Sequence, residues 1–149
     1  HNPDLLKRII ADGHEVGTMG FKMQDLSKRM DTEVAHSLKE GSLVIESALG
    51  KPPRFFRPPH GKYSDMVIQA ALAQGLTTVT WSLDSLDSTD PLPKNLEKTV
   101  IRKARRGDIV LFHAQDWIES TSQALPQIIE GLKRRGFRMM TVSEMFPPE

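Results

Sequence analysis

Apolar residues along this chain alternate between a helical spacing and short continuous runs. The helical spacing, with Pro and Gly near the ends of the periodic stretches, predicts a series of helices separated by short connections. The predicted helices run from Pro3 to a stop at Gly13, over residues 27–49 with Gly41 as a possible break, over 64–75, over 95–106, and through Leu125 and Leu132 to Gly136.

Short apolar runs between these helices predict strands. The runs lie at residues 14–17, 54–57, 76–81, 109–112 and 137–142. About five strands that alternate with helices indicate an α/β fold with a parallel sheet rather than a helical bundle or a β-sandwich. No internal repeat interrupts the pattern, and we interpret residues 1–149 as a single domain.

Composition narrows the classes of function. The 149 residues are 38% hydrophobic, and 20 Lys and Arg against 19 Asp and Glu leave a net charge of +1. This balance gives no electrostatic case for a nucleic-acid partner or an anionic membrane. The chain has no cysteine, which excludes disulfide scaffolds, thiolate zinc sites and cysteine nucleophiles. No apolar run approaches the roughly 18 residues of a membrane helix.

Polar residues follow several predicted strands at their C-terminal ends, namely Arg57, Asp84, Asp87 and His113. Ligands bind at this edge of a parallel sheet, so these side chains could share one site. Either aspartate could hold the His113 imidazole in one tautomer, or both could be loop caps. Arg57 could present its guanidinium to a carboxylate or an oxyanion, or form a structural ion pair. His113 could equally be a satisfied core residue.

Other residues carry less weight. The basic runs at residues 102–106 and 133–135 lie at predicted helix C-termini, where cations complement the helix dipole, and we interpret them as solvated faces. Met19 and Met23 fit a core or pocket wall better than a soft-metal site. No paired spacing typical of zinc ligands occurs among His1, His14, His36 and His60.

Four groups of motifs follow one another along the chain. They are Asn2-Pro3-Asp4-Leu5-Leu6 with Gly13-His14-Glu15-Val16-Gly17, Arg57-Pro58-Pro59-His60-Gly61, Trp81-Ser82-Leu83-Asp84-Ser85-Leu86-Asp87, and Gly107-Asp108-Ile109-Val110-Leu111-Phe112-His113. In this order they resemble landmarks of the polysaccharide deacetylase family, also called the NodB-homology domain. These landmarks are the helix and loop before the metal motif, the arginine motif, the aspartate motif, and the final leucine and histidine motif.

This resemblance implies a distorted (β/α) barrel and metal-dependent hydrolysis of an N-acetyl or O-acetyl group on a carbohydrate polymer. In the family, a divalent metal activates a water, an aspartate takes its proton and a histidine protonates the leaving amine. By resemblance, His113 is this acid, Asp87 orients it, and Arg57 holds the base. The implied substrate-binding residues are Pro58, Pro59, His60, Gly61 and Leu111, the last in the acetyl pocket.

The sequence departs from the family where a metal would bind. Met19 and Met23 stand where the family has two histidines, and Ser88 stands where it has a tryptophan. A thioether is a poor ligand for zinc or a similar divalent ion, so we predict no metal cofactor unless the family's site persists in another form. The family's first motif, Thr-Phe-Asp-Asp-Gly, has no equivalent here. We therefore expect a C-terminal portion of the domain, with a barrel incomplete at its N-terminal side.

Two hypotheses of different classes follow from the resemblance, beside a third in which the chain is an unrelated α/β binding module and the four motif groups are accidental. The first is a divergent deacetylase homologue, a hydrolase with weak or lost activity on a peptidoglycan or chitin-like polymer. The second is a non-catalytic carbohydrate-binding or scaffolding protein. The resemblance alone implies a bacterial protein of the cell envelope or extracellular space, in the sporulation-associated branch of the family. We expect a carbohydrate polymer as partner, no nucleic acid, no membrane segment in this chain, and a further segment or chain that covers the open sheet edges.

Overall fold

The computed structural model of the protein describes residues 2–89, 91–115 and 117–147. The chain forms two compact units, His1–Thr80 and Trp81–Glu149. Each unit contains one pair of short parallel strands, together with helices that close over its own apolar core. No helix among the described residues combines the length and apolar character needed to cross a membrane.

The first unit is built from three helices and two strands. β1 and β2 pair in parallel, with Phe55 opposite Thr77 and Phe56 opposite Thr78. Two polar caps begin helices by accepting backbone N–H groups: Asn2 caps α1 and Ser64 caps α3. The elements are α1 (Pro3–Ala11), α2 (Asp31–Leu49), β1 (Phe55–Phe56), α3 (Asp65–Leu72) and β2 (Thr77–Thr78), with 3-10 turns at Leu26–Lys28 and Pro59–Gly61.

The core of the first unit lies between α2, α3 and β1. The apolar faces of the two helices remove their side chains from water, which is the main favourable contribution to the stability of such a small unit. Its buried members are Leu26, Val34, Leu38, Phe56, Val67, Ala71 and Leu76.

The second unit repeats this arrangement with its own strands and helices. β3 and β4 pair in parallel, with Leu83 opposite Val110 and Asp84 opposite Leu111. The two long helices α4 and α5 bury a shared core of Leu96, Val100, Ala104, Ala124, Ile128 and Leu132. The elements are β3 (Leu83–Asp84), a 3-10 turn at Asp87–Thr89, α4 (Pro93–Lys103), β4 (Val110–Leu111), α5 (Glu119–Arg134) and α6 (Val142–Met145).

The structure confirms a helix in every predicted helical stretch, but the interpretation of Gly41 was wrong. Gly41 does not break α2, which is continuous from Asp31 to Leu49. A Cβ atom at Gly41 would lie 2.6 Å from the carbonyl carbon of Gly20. This glycine therefore permits a close contact between the helix and the loop that contains Gly20.

Two predicted strands are wrong and one strand was missed. Residues 14–17 contain no strand, although Thr18 forms one isolated parallel bridge with Phe56. Residues 137–141 are not a strand, and Val142 begins α6. A strand needs a neighbour that pairs with its backbone groups, and within the described ranges neither segment has a continuous ladder partner. The missed strand is β3, which lies just after the strand predicted at residues 76–81.

Candidate functional site

The first group of candidate residues lies at the C-terminal end of β1. The Arg57 N–H donates to the Thr18 carbonyl at 2.9 Å, and the Thr18 N–H donates to the Phe55 carbonyl at 2.9 Å. This bridge sets the loop that begins at Met19 beside Arg57. The Arg57 Nη2 then donates to the Met19 Sδ at 3.2 Å. Met19 and Arg57 are therefore in direct contact within the first unit.

The Arg57 guanidinium is half-buried and has a weak acceptor. Burial lowers the pKa of Arg57 from its ordinary value, yet an arginine stays protonated in proteins. In the part of the chain that the structure describes, no carboxylate lies within ion-pair distance of this guanidinium. The structural ion pair considered from the sequence is therefore not formed by those residues, and the positive charge faces a thioether.

The loop that carries Met19 is fastened to α2. The Ser37 hydroxyl accepts the Phe21 N–H at 3.1 Å, and the Thr18 hydroxyl accepts the Gly20 N–H at 3.0 Å. The close approach of Gly41 to Gly20 completes this contact. Met23, four residues beyond Met19, is 59% exposed. The two methionines therefore differ in environment, because only Met19 has a polar partner described in the structure.

The residues after Arg57 form a tight turn. Pro58 and Pro59 are buried, whereas His60 is exposed. His60 has a φ of 57°, in the left-handed region that non-glycine residues rarely adopt, and Gly61 follows with a φ of 67°. Among the predicted substrate-binding residues of this turn, His60 therefore presents the side chain most accessible to a ligand.

The second group of candidate residues lies at the C-terminal ends of β3 and β4. The His113 Nδ1 lies 2.8 Å from the Asp87 Oδ1, and the His113 backbone N–H donates to the Asp87 Oδ2 at 2.7 Å. Asp87 is fully buried, and the His113 side chain is 29% exposed. The parallel pairing of β3 and β4 brings these residues together although they are 26 positions apart.

A third donor reaches the same carboxylate from α5. The Thr121 hydroxyl donates to the Asp87 Oδ2 at 2.7 Å. Burial by itself would raise the pKa of Asp87, but the hydrogen bonds from His113 and Thr121 outweigh it and hold the pKa below its ordinary value. An ionised carboxylate only accepts hydrogen bonds, so the proton of the Asp87 contact resides on the His113 Nδ1. The His113 Nε2 is left free of this contact.

The turn between β3 and Asp87 directs the carboxylate inward. Leu86 has a φ of 63°, a strained conformation for a leucine. The Asp84 Oδ1 accepts the Leu86 N–H at 2.8 Å, and the Ser85 hydroxyl accepts the Asp87 N–H at 3.3 Å. Asp84 is therefore the loop cap of the two alternatives, and Asp87 is the partner of His113.

The residues present do not fit a divalent metal of the zinc class. The described residues contain no group of three or more His, Cys, Asp or Glu side chains that could hold a metal ion. The Met19 sulfur accepts from the Arg57 guanidinium, whose positive charge would repel a metal cation. Thioethers prefer soft ions such as Cu(I) over zinc, so Met19 and Met23 are poor ligands for an ion of the zinc class.

Comparison with known proteins decides the family. The family model named "Polysaccharide deacetylase" matches residues 1–79, which is more than half of the 149 residues. The chain belongs to the polysaccharide deacetylase family. This result confirms the resemblance that the motifs indicated.

Individual family members match almost the whole chain. A peptidoglycan-N-acetylglucosamine deacetylase of Bacillus cereus is 35% identical over 147 residues, which cover 97% of this chain and 68% of that protein. The uncharacterized protein YlxY of Bacillus subtilis is 32% identical over 145 residues, which cover 97% of this chain and 44% of that protein. This chain is therefore a homologue of a protein named as a peptidoglycan deacetylase, and it spans 68% of that relative and 44% of YlxY.

Solved structures include both enzymes and a pseudoenzyme of this family. BA3943 of Bacillus anthracis, a CE4 family pseudoenzyme, matches with a TM-score of 0.89 and 30% identity over 96% of this chain and 50% of that chain. A BA3943 mutant with restored enzymatic activity matches with the same TM-score of 0.89 and 31% identity over 96% of this chain and 52% of that chain. The fold is therefore that of the CE4 deacetylases, and it occurs in family members with and without activity.

The structure brings some of the predicted site residues into contact and leaves others apart. It joins Asp87 to His113, gives Asp84 a separate contact with the Leu86 N–H, and buries Leu111 on β4, two residues before His113. Arg57 belongs to the other unit, and a site shared with His113 stays a prediction. Thr121 was missed, because a hydroxyl at the third position of a helix has no sequence pattern that links it to an aspartate 34 positions earlier.

Proposed function

We propose that this protein is a divergent deacetylase homologue of the bacterial cell envelope whose metal-dependent hydrolysis is weak or lost. The observation that carries the proposal is the contrast between two contacts. Asp87 holds the His113 imidazole at 2.8 Å, as a proton-transfer pair requires. Met19, at a family metal-ligand position, instead accepts from Arg57 at 3.2 Å.

The retained pair supports a role in acid catalysis. The ionised Asp87 fixes the proton on the His113 Nδ1, so the Nε2 is the atom that exchanges a proton with a leaving amine or alkoxide. The part-exposed His113 ring can meet a ligand, while the buried Asp87 stays fixed behind it. In this proposal His113 is the general acid and Asp87 its orienting partner.

We propose that the metal-dependent part of the hydrolysis is impaired. A divalent ion would activate the attacking water and polarise the acetyl carbonyl. The Met19 and Met23 thioethers do not provide the two imidazoles that such an ion needs, and the Arg57 charge beside Met19 opposes its binding. The structural match to the pseudoenzyme BA3943 also supports the proposed loss of activity.

The acetylated polymer is proposed to be peptidoglycan or a chitin-like glycan. The B. cereus relative is named for deacetylation of peptidoglycan N-acetylglucosamine, which supports this substrate class and a place in the envelope or outside the cell. His60 and Gly61, with the buried Pro58 and Pro59 behind them, are the proposed substrate-binding turn of the first unit, and Leu111 the proposed wall of an acetyl pocket. A sporulation role remains part of the proposal.

A non-catalytic carbohydrate-binding role is the second candidate. The observation that favours it is the contact between Met19 and Arg57, which leaves a cationic surface where catalysis would need a metal. Such a protein would bind the polymer and release no acetate. The preserved pair of Asp87 and His113 favours the first candidate, since binding alone does not require an imidazole with a fixed tautomer.

Acetate release is the experiment that separates the candidates. The full-length protein is assayed on chitooligosaccharides and on peptidoglycan, with and without added zinc, as wild type and as Met19→His/Met23→His. A matched control, Met30→His/Met139→His, adds two histidines at exposed methionines outside the family's ligand positions. We expect little zinc-dependent release by the wild type and the control, and an increase in the Met19→His/Met23→His variant.

Each outcome has a defined meaning. Robust zinc-dependent release by the wild type contradicts the loss of metal chemistry. Polymer binding without release in every variant supports the carbohydrate-binding candidate. If a variant releases acetate, His113→Ala should abolish that release while the fold is retained by circular dichroism, and unchanged release would remove His113 from the mechanism.

We also propose that the barrel is incomplete within these residues and that a further segment or chain covers its sheet edges. Each sheet among the described residues has two strands, and residues 137–141 have no strand partner there. Open edges expose backbone groups that pair with other strands. Small-angle scattering measures the size of the particle in solution. An associated particle, or one that includes a further segment, supports the proposal. A compact monomer of residues 1–149 alone contradicts it.

A further inference from the structure

We infer that Thr121 is a positioning residue that fixes the tautomer of His113 by acting through Asp87. Any effect of this role on catalysis rests on the proposed function. The hydrogen bond between Thr121 and Asp87 does not depend on that function. Thr121 does not touch the imidazole in any described contact. Its hydroxyl donates to the Asp87 Oδ2, and the opposite oxygen of that carboxylate accepts from the His113 Nδ1.

The two oxygens of the Asp87 carboxylate accept from different sets of donors. The His113 ring occupies the Asp87 Oδ1, and the His113 backbone N–H and the Thr121 hydroxyl share the Oδ2, both at 2.7 Å. A carboxylate held at one oxygen can rotate about its Cβ–Cγ bond, and donors on the second oxygen oppose that rotation. Of the two donors on Oδ2, only Thr121 is independent of His113.

The position of Thr121 comes from a helix and not from a loop. Thr121 lies in the first turn of α5, whose later residues Ala124 and Ile128 are buried in the core shared with α4. Thr121 itself is 8% exposed, so little water can replace its hydroxyl beside the fully buried Asp87. The first turn of a helix also favours an anion, because its N–H groups carry partial positive charge. The orientation of Asp87 is thus tied to the packed second unit.

Loss of the hydroxyl should release the ring. In Thr121→Val, which has nearly the same shape, the Asp87 Oδ2 keeps one donor and the carboxylate gains freedom to turn away from the His113 Nδ1. The neutral imidazole can then carry its proton on either nitrogen. We expect the wild type to show a single Nδ1–H tautomer and the variant to show a mixture.

Nitrogen NMR of the His113 ring tests this inference in the full chain. Long-range ¹H–¹⁵N spectra at alkaline pH report which ring nitrogen carries the proton, and they require neither substrate nor activity. Thr121→Ser retains a hydroxyl and should keep the wild-type tautomer, whereas Thr121→Val should lose it. The control Ser122→Ala removes a neighbouring hydroxyl that bonds only to the Glu119 carbonyl in the described contacts, and its spectrum should match the wild type.

Identical ring nitrogen shifts in Thr121→Val and the wild type overturn the inference. If Thr121→Val does not fold, Thr121→Ala replaces it, and the comparison with Thr121→Ser carries the same meaning. A tautomer change in a protein whose wild type shows robust zinc-dependent release supports the positioning role and contradicts the proposed loss of metal chemistry. An unchanged tautomer in a protein with little zinc-dependent release overturns the positioning role alone.

Discussion

The Asp87 carboxylate and the Arg57 guanidinium occupy similar places but have opposite surroundings. Each follows the C-terminal end of a short parallel strand in its own unit. Asp87 is fully buried and accepts three short hydrogen bonds, whereas the half-buried Arg57 donates to one thioether in the described contacts. A buried charge persists only with matched partners. The buried carboxylate therefore has a full set of donors, whereas the guanidinium, in the region where we propose that metal binding is lost, has only a weak acceptor among the described contacts.

Removal of the Asp87 carboxylate should have the largest effect on stability. Asp87→Ala leaves two N–H groups of His113 and the Thr121 hydroxyl without their acceptor. Each buried unsatisfied group costs about 1–3 kcal/mol, so we expect the free energy of unfolding to fall by roughly 3 kcal/mol or more in urea denaturation. The control Asp84→Ala removes an exposed cap and should cost less than about 1 kcal/mol. Equal effects of the two variants would contradict the special status of Asp87.

Gly41→Ala should have the next largest effect, in the first unit. The added methyl group would lie 2.6 Å from the Gly20 carbonyl carbon and 2.7 Å from the Thr18 hydroxyl, so backbone must move. Such overpacking typically costs about 1–3 kcal/mol. Thermal unfolding should show this loss, whereas Lys39→Ala, on an exposed position of the same helix, should change the midpoint little. A neutral Gly41→Ala would mean that the loop carrying Met19 is not fastened to α2 in this way.

Acid unfolding should show a smaller effect, which comes from the protonation of Asp87. Its pKa is lowered in the folded protein, because the hydrogen bonds from His113 and Thr121 outweigh burial. The resulting stability is present above the ordinary value of 3.8 and is lost as the pH falls through the folded-state pKa. Asp87→Asn should therefore lose less stability than the wild type between neutral pH and pH 3. The free energy of unfolding across this pH range measures the difference, and parallel curves would contradict it.

Met19→Leu should have the smallest effect. The substitution conserves volume and removes a weak acceptor from Arg57. We expect a change below about 1 kcal/mol in the free energy of unfolding, and a still smaller change for Met23→Leu at an exposed position. A loss of unfolding free energy as large as that of Asp87→Ala would show that the thioether contact contributes strongly to stability. This result would contradict the difference that we describe between the surroundings of Arg57 and Asp87.

Local sequence patterns predicted the helices. They also predicted that polar residues lie at the C-terminal ends of strands. Periodic apolar positions located α1 to α5, since one face of each must leave water. The rule that the C-terminal edge of parallel strands carries the site led to Asp87 and His113, which are in contact. Strands were less predictable, because residues 14–17 and 137–142 have strand-like composition but strand formation depends on a partner elsewhere in the chain.

Contacts between distant residues were the part that the sequence could not supply. The choice between Asp84 and Asp87 depends on the left-handed Leu86, which turns the chain between them. Thr121 reaches Asp87 only because α5 packs against α4, and nothing in its local sequence indicates that contact. The methionine at position 19 was visible in the sequence. Its contact with the Arg57 guanidinium depends on the bridge between Thr18 and Phe56, which no local pattern indicates.

Calorimetry on the purified full-length protein measures directly whether zinc binds. We expect no stoichiometric zinc binding by the wild type and detectable binding after Met19→His/Met23→His. One tightly bound zinc ion in the wild type, lost when Met19 or Met23 is replaced by leucine, would contradict the proposal that these methionine positions do not hold a metal.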